Sequence, residues 1–236
     1  METALVIAVL CLATLVHGTL GFGTGLVAMP LLALTVGVRD ATALVAFVIL
    51  GTTIIILGQS WRALRWRAAV RLVIGSVAGI PLGIFVLTSA PAGAVQRGLG
   101  VVLVAVGLYS LAAPRLFEAR HAAWAYACGF VGGLLGGAYN ANAPPVVVYG
   151  ALRRWPPVVF RATLQAYFVP AALLIWAGHG VTGLWTREIV GWYLLYLPFG
   201  LIVLVVGQRL SARLPEGSFD RVLYAAIAVL GVVLLF

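Results

Sequence analysis

Apolar residues run along almost the whole chain in stretches that few charged residues interrupt. The stretches cover 3–38, 41–60, 68–89, 94–112, 122–151, 160–178, 188–208 and 219–236. A helix needs about 20 residues to cross a hydrocarbon core of ~30 Å. Because the stretches recur at this length and no segment between them is long enough for a soluble domain, the pattern predicts an all-α polytopic membrane protein.

Two of the stretches contain residues that break helices. The first includes "HGTLGFGTGLVAMP" (His17–Pro30), and the fifth includes "GFVGGLLGGAYNANAPPVVVYG" (Gly129–Gly150). Backbone groups freed by such a break must be buried in protein or line a polar cavity, because each unsatisfied group in lipid costs several kcal/mol. We therefore expect each broken stretch to form a hairpin whose turn belongs to a binding site.

The two halves of the sequence resemble each other. Three pairs of segments carry the resemblance: Val38–Phe47 with Val159–Phe168, Arg62–Gly83 with Thr182–Gly207, and Val95–Leu111 with Phe219–Leu235. We predict a first repeat at 1–113, with hairpin 3–37 and helices 41–60, 68–89 and 94–112. The second repeat, 114–236, has hairpin 122–152 and helices 160–178, 188–208 and 219–236.

The arginines indicate how these elements cross the membrane. All 15 cationic residues are arginine, and they lie in short segments rather than in one basic stripe, which argues against a nucleic-acid partner. If both broken stretches are hairpins, only Arg39, Arg97 and Arg187 lie on one face and the other twelve lie on the opposite face. This asymmetry satisfies the positive-inside rule, whereas single crossings would divide the arginines eight to seven.

A hairpin followed by three crossings gives each repeat an odd number of crossings. The second repeat is therefore expected to enter the membrane upside down relative to the first, so that both termini face outward. Inverted repeats whose broken helices meet near the bilayer midplane are the architecture of secondary transporters. The fold prediction is thus two inverted repeats, each a broken-helix hairpin plus three transmembrane helices.

The acidic residues constrain what such a protein could carry. All six lie in loops or at the ends of apolar stretches: Glu2, Asp40, Glu118, Glu188, Glu216 and Asp220. Proton pumps and cation sites usually keep a carboxylate at membrane depth, so its absence favours an anion. Amide N–H groups at the start of a half-helix suit an anion as well, and we expect them at both breaks.

At this point the chain resembles the sulfite exporter TauE/SafE family of membrane anion permeases. The resemblance rests on "GTLGFGTGLVAMPLLAL" followed by "ATALVAF", and on "GFVGGLLGG" followed by "APPVVVYGALRRWPPVVFRATLQ". It implies export of sulfite, sulfoacetate or related organosulfonates from a bacterium. Many members carry a run of glycines where this chain has "AYNANAPP", so the substrate here could differ accordingly.

Candidate binding residues lie at the two breaks and in the helix after the second break. Hydroxyl and amide groups donate hydrogen bonds to oxyanions, glycines let a ligand approach the backbone, and arginine can bind a sulfonate through two hydrogen bonds. Arg161 and Gln165 lie four residues apart, hence on one helix face. The candidates are Thr19, Gly21, Gly23, Thr24, Gly136, Asn140, Asn142, Arg161 and Gln165.

Several of these residues have a second interpretation. Glycines often serve close helix packing, and Arg161 could only anchor the chain at the membrane interface. His17 could couple transport to protons, or it could be a core histidine with a satisfied hydrogen bond. We expect the remaining histidines and one aromatic group to lie at the interface, namely His121, His179, Trp185, Trp192, Tyr193 and Tyr196.

The sequence predicts a permease that works by alternating access and contains no enzyme motif. We expect no catalytic residue, cofactor or metal. A channel-like anion pore or a carrier for another small organic anion is the alternative. The expected partners are a small anion and the lipid bilayer, a homo-oligomer is compatible with the sequence, and the expected location is the bacterial inner membrane with both termini in the periplasm.

Overall fold

The computed structural model describes residues 2–60, 64–112, 121–211 and 220–235, which form ten helices and no strand. The predicted cytoplasmic residues Arg62, Arg115, Arg120 and Arg213 lie outside this part of the chain. The helices are α1 Glu2–Leu20, α2 Thr24–Thr35, α3 Val38–Ser60, α4 Trp66–Ser89, α5 Ala92–Ala112, α6 Ala123–Tyr139, α7 Ala143–Leu152, α8 Pro157–Val181, α9 Arg187–Ser211 and α10 Asp220–Val233.

Six of these helices are long and apolar enough to cross a membrane, namely α1, α3, α4, α5, α8 and α9. The shorter apolar helices include α2 and α7, which have 12 and 10 residues. Hydrophobic side chains such as Phe85 and Ile202 remain more than half exposed, as lipid-facing residues do. The prediction of an all-α membrane protein is confirmed.

Both broken stretches contain a helix break at the expected place. The first break comprises residues 21–23 between α1 and α2, and the second comprises residues 140–142 between α6 and α7. The two turns begin in the same way, because Gly21 and Asn140 both have left-handed backbones, with φ of 84° and 52°. Their N–H groups bond to the carbonyls of His17 and Gly136 at 2.7 and 2.8 Å, which ends each preceding helix.

The helices pack into two compact units that cut across the predicted sequence repeats. The first unit contains α1, α2, the beginning of α3, α5, α9 and α10. The second unit contains the rest of α3 together with α4, α6, α7 and α8. The first hairpin therefore packs against α9, and the second hairpin packs against α4.

Glycines allow the closest helix contacts in each unit. In the first unit, a Cβ added to Gly18 of α1 would lie 3.2 Å from the Cα of Gly207 in α9. In the second unit, a Cβ added to Gly137 of α6 would lie 3.2 Å from the Cα of Gly83 in α4. Gly83 and Gly207 end the matching segments of the two halves, so the same contact occurs once in each unit.

Two aromatic residues of the predicted interface group are instead buried in the contact between α1 and α9. The hydroxyl of Tyr196 lies 2.6 Å from that of Thr14, and Trp192 donates its indole N–H to the Thr3 hydroxyl at 3.4 Å. Each finds a polar partner on the neighbouring helix, so both rings pack inside the protein, and their level in the bilayer stays a prediction. Trp185 packs on another ring, that of Trp176, with 4.1 Å between centroids.

Candidate functional site

The first break is a buried turn at which a new helix starts. Gly23, the residue before α2, has φ of 109°, a left-handed conformation that favours glycine. Val27 N–H bonds to the Gly23 carbonyl at 3.1 Å, and no earlier residue of α2 can make such a bond within the helix. The N–H groups of Thr24, Gly25 and Leu26 therefore form the positive end of a half-helix inside the protein.

His17 lies beside this helix start with one of its two ring nitrogens bonded. The side chain is 2% exposed, and its Nδ1 lies 2.6 Å from the Thr24 hydroxyl. Its Nε2 is buried without a partner among the described residues. An unbonded buried polar atom costs about 1–3 kcal/mol, so the position suits a ligand or a bound water molecule.

Thr19 serves the packing of helices. Its hydroxyl donates to the Leu15 carbonyl at 2.8 Å and approaches the Gly207 carbonyl of α9 at 3.4 Å. Of the first-break candidates, the structure thus brings Gly21, Gly23, Thr24 and His17 together at the turn. Thr19 stays on the flank where α1 meets α9.

The second break presents different donors. Asn140 and Asn142 are both 4% exposed, and Asn142 precedes α7 without capping it through its side chain. The first turn of α7 contains Pro144 and Pro145, which have no N–H. The expectation of a half-helix start rich in backbone N–H donors is therefore wrong for the second break. The donors that this break offers are the side-chain amides of Asn140 and Asn142.

The glycines of α6 divide into two faces with different roles. Gly129, Gly133 and Gly137, four residues apart, lie against backbone atoms of α4, whose own glycines face them. Gly132 and Gly136 instead face α8 and the second break: a Cβ on Gly136 would lie 2.9 Å from Cδ1 of Ile175 and 3.0 Å from the Cβ of Asn142. The packing interpretation holds for the first face, and only the second face lies at the candidate site.

Tyr167 is a site residue that the sequence reasoning missed. Its hydroxyl would lie 2.9 Å from a Cβ on Gly132, beside the backbone carbonyl of Asn142. The phenol is fully buried near Ser76, yet its oxygen makes no hydrogen bond of good geometry. When the matching segments of the two halves are aligned, Tyr167 corresponds to Ala46. A tyrosine where the other half has an alanine is the signal that could have identified it.

The other candidates of α8 lie in different surroundings. Gln165 is fully buried, whereas Arg161, one turn earlier, is exposed. Thr163 between them bonds back to the Val159 carbonyl at 2.7 Å and accepts the Arg65 N–H at 3.0 Å. Arg161 therefore lies at the end of α8 rather than deep in the second unit.

His179 is buried, so the prediction that it lies at the interface is wrong. Its Nε2 lies 3.3 Å from the carbonyl of Gly137, one of the last carbonyls of α6. The Ala141 N–H, which would bond to Gly137 in a continued helix, bonds to Leu135 instead. A histidine on this carbonyl satisfies the end of the half-helix, which is a structural role.

The acidic residues whose side chains the structure describes lie at helix starts and outside both breaks. Glu2, Asp40 and Glu188 each lie in the first turn of a helix, where a carboxylate interacts well with the helix dipole. No group of three histidine, cysteine or acidic side chains in the described ranges could hold a metal ion. The two breaks therefore offer hydrogen-bond donors and no negative charge.

Apolar helices, two buried breaks and donor groups at those breaks are features of a membrane transport protein. A sequence model of the sulfite exporter TauE/SafE family matches residues 6–234, and this chain belongs to that family. It is 24% identical over 225 residues to the probable sulfite/organosulfonate exporter TauE of Cupriavidus necator, covering 89% of this chain and 85% of that protein. No solved structure matches it.

Proposed function

We propose that this protein exports a small sulfur oxyanion, such as sulfite or an organosulfonate of the sulfoacetate type, across the bacterial inner membrane by alternating access. The observation that carries the proposal is the first break, where α2 starts at buried residues and His17, bonded to Thr24 through Nδ1, has a buried and unbonded Nε2. The name of the Cupriavidus relative, a probable sulfite/organosulfonate exporter, points to the same class of substrate.

The chemistry of the first break favours an anion over a cation. When the Thr24 hydroxyl donates to Nδ1 of His17, the neutral imidazole carries its proton on Nε2 and is a donor there. That donor and the amides of α2 can both bond to oxyanion oxygens. No carboxylate belongs to the turn, and at the end of α1 the His17 carbonyl already accepts the Gly21 N–H.

The membrane potential is a sufficient driving force for export. An inside-negative potential expels an anion with ~2.3 kcal/mol per charge for every 100 mV. We infer a carrier that needs no catalytic residue, cofactor or bound metal. The alternative is a channel-like pore. Recording in planar bilayers distinguishes the two, because a pore gives measurable single-channel currents and a carrier does not.

The substrate prediction is tested by anion binding to purified protein. Sulfite and sulfoacetate are expected to bind, and a cation of similar size is not. If Arg161 contacts the anion, Arg161→Gln removes a charge-assisted bond worth roughly 1.5–3 kcal/mol and lowers affinity about ten- to a hundredfold. Tyr167→Phe, which removes only the buried hydroxyl, tests the second break in the same assay.

The possible outcomes test the class of substrate and the role of each residue separately. Cation binding without anion binding would end the anion proposal. An unchanged affinity in Arg161→Gln would remove only that residue, in agreement with its exposed position at the end of α8. A change in Tyr167→Phe alone would assign substrate contact to the second break.

The proposed orientation places both termini in the periplasm and the arginine-rich loops in the cytoplasm. In a variant whose native cysteines Cys11 and Cys128 are replaced by serine, an impermeant thiol reagent added to intact cells should label Thr186→Cys. The same reagent should label Arg154→Cys only after the cells are opened. Both residues are exposed, so labelling of Arg154→Cys from outside would reverse the topology.

A further inference from the structure

The second unit contains an apolar groove that the transport proposal does not use. The groove has a volume of about 720 Å³ and lies between α3, the first half of α4 and the middle of α8. This size falls within the range of about 300–1,000 Å³ that holds small apolar ligands. Its lining residues are Leu57, Leu64, Trp66, Ala69, Val70, Val73, Ile74, Ala166, Val169 and Pro170.

Two arginines flank the tryptophan that lines the groove where α4 begins. Arg65 and Arg67 are exposed on either side of Trp66, whose ring is 68% exposed. The backbone of Arg65 is fixed, because its N–H donates to the hydroxyl of Thr163 on α8 at 3.0 Å. This bond ties the residue before α4 to α8, so the arginines beside the groove do not lie on a free loop.

Among the residues that the structure describes, the second unit offers no acidic partner for these guanidinium groups. The described acidic residues Glu2, Asp40 and Glu188 all belong to the first unit, and the described residues of the second unit contain no carboxylate. A guanidinium at a membrane surface is best satisfied by two hydrogen bonds to a phosphate or carboxylate. A phosphate group from a lipid would give Arg65 and Arg67 the partner that the described residues of this unit do not supply.

We propose that the groove is a specific site for one anionic phospholipid. An acyl chain occupies the apolar groove, the phosphate is bound by Arg65 and Arg67, and Trp66 lies at the level of the head group, as interfacial tryptophans do. An apolar groove lined by a tryptophan that has an exposed arginine on either side in the sequence matches a molecule with an apolar chain and an anionic head. A transported small oxyanion has no apolar chain to fill the groove.

Native mass spectrometry of the detergent-purified protein with phosphatidylglycerol or phosphatidylcholine of identical chains tests the proposal. One phosphatidylglycerol per chain should be retained under conditions that remove phosphatidylcholine. The double variant Arg65→Gln/Arg67→Gln should lose about 30-fold in phosphatidylglycerol affinity, since each cation near an anionic head contributes about fivefold. Val70→Trp, which fills the groove, should lose retention as well.

Two matched variants control for general effects on lipid binding. Val77 lies on the same helix as Val70 and is similarly exposed, at 52% against 45%, but it does not line the groove. Arg209 is an exposed arginine of the first unit. Val77→Trp and Arg209→Gln should retain phosphatidylglycerol as the unchanged protein does, and thermal unfolding of each variant in detergent confirms that it is folded.

Three results would overturn the site. Equal retention of both lipids would show ordinary annular lipid only. An equal loss in Val70→Trp and Val77→Trp would show that the groove itself is not occupied. Lipid-independent association of a second polypeptide that Val70→Trp abolishes would show that the groove binds protein. Each of these results would leave the anion transport proposal untouched, because that proposal rests on the two breaks.

Discussion

Gly137→Ala is expected to destabilise the folded protein by about 3 kcal/mol, the upper end of the usual cost of overpacking. An alanine Cβ at this position would meet the Ile80 carbonyl oxygen and would lie 3.0 Å from the Ile84 nitrogen. Both are backbone atoms of α4, which cannot move aside as the end of a flexible side chain does. The helices would have to separate along a contact that glycines line on both sides.

The measurement is thermal unfolding in detergent, with the fraction of protein that stays monodisperse after extraction as a second readout. Gly58→Ala is the matched control, because a Cβ on Gly58 of α3 would meet no atom within 4 Å. Alanine is favoured over glycine in a helix by up to about 1 kcal/mol, so Gly58→Ala should be neutral or stabilising. Equal stability of the two variants would mean that α4 and α6 do not approach this closely.

His17→Ala is expected to lower anion affinity and export by about ten- to a hundredfold, in addition to the stability cost of truncating a buried ring. The substitution removes the buried Nε2 donor at the start of α2 together with the bond from Nδ1 to Thr24. Loss of the neutral Nδ1 bond costs only about 1 kcal/mol, partly offset because an unbonded buried nitrogen disappears with it. The effect should therefore appear in binding and transport.

Binding of sulfite to purified protein and its export from proteoliposomes measure the effect. His17→Gln, which keeps an N–H donor of similar reach, should recover part of the affinity. Thr14→Val is the structural control: it lies on the same helix and loses its bond to Tyr196, so it should lower stability without changing affinity. If His17→Ala binds and exports sulfite normally, the first break is not the anion site.

The proposed inverted repeat accounts for the way in which the helices pair. Gly18 and Gly207 meet in the first unit as Gly137 and Gly83 meet in the second, so each hairpin packs on a helix from the other half. Such an exchange of helices between halves is compatible with a transporter built from inverted repeats. The two breaks differ in donors, however, because His17 of the first corresponds to Gly136 of the second when the turns are aligned.

The sequence by itself determined the helices and the position of both breaks. Apolar stretches of the required length have to be helices in a membrane, because no other single segment satisfies its own backbone there. Gly21 and Gly23 in one stretch, and the prolines after Asn142 in the other, are enough to locate the turns. The resemblance to the family rested on the segments around the same breaks, and the sequence model of the family matches residues 6–234.

Only the tertiary structure decided which residues of each break pack and which remain available to a ligand. Gly133 and Gly136 are the same residue type three positions apart, yet one touches α4 and the other faces Asn142. His179 has the sequence surroundings of an interfacial residue but bonds to the end of α6. These differences depend on contacts between segments far apart in the chain, and hydropathy along a single segment carries no information about its neighbour.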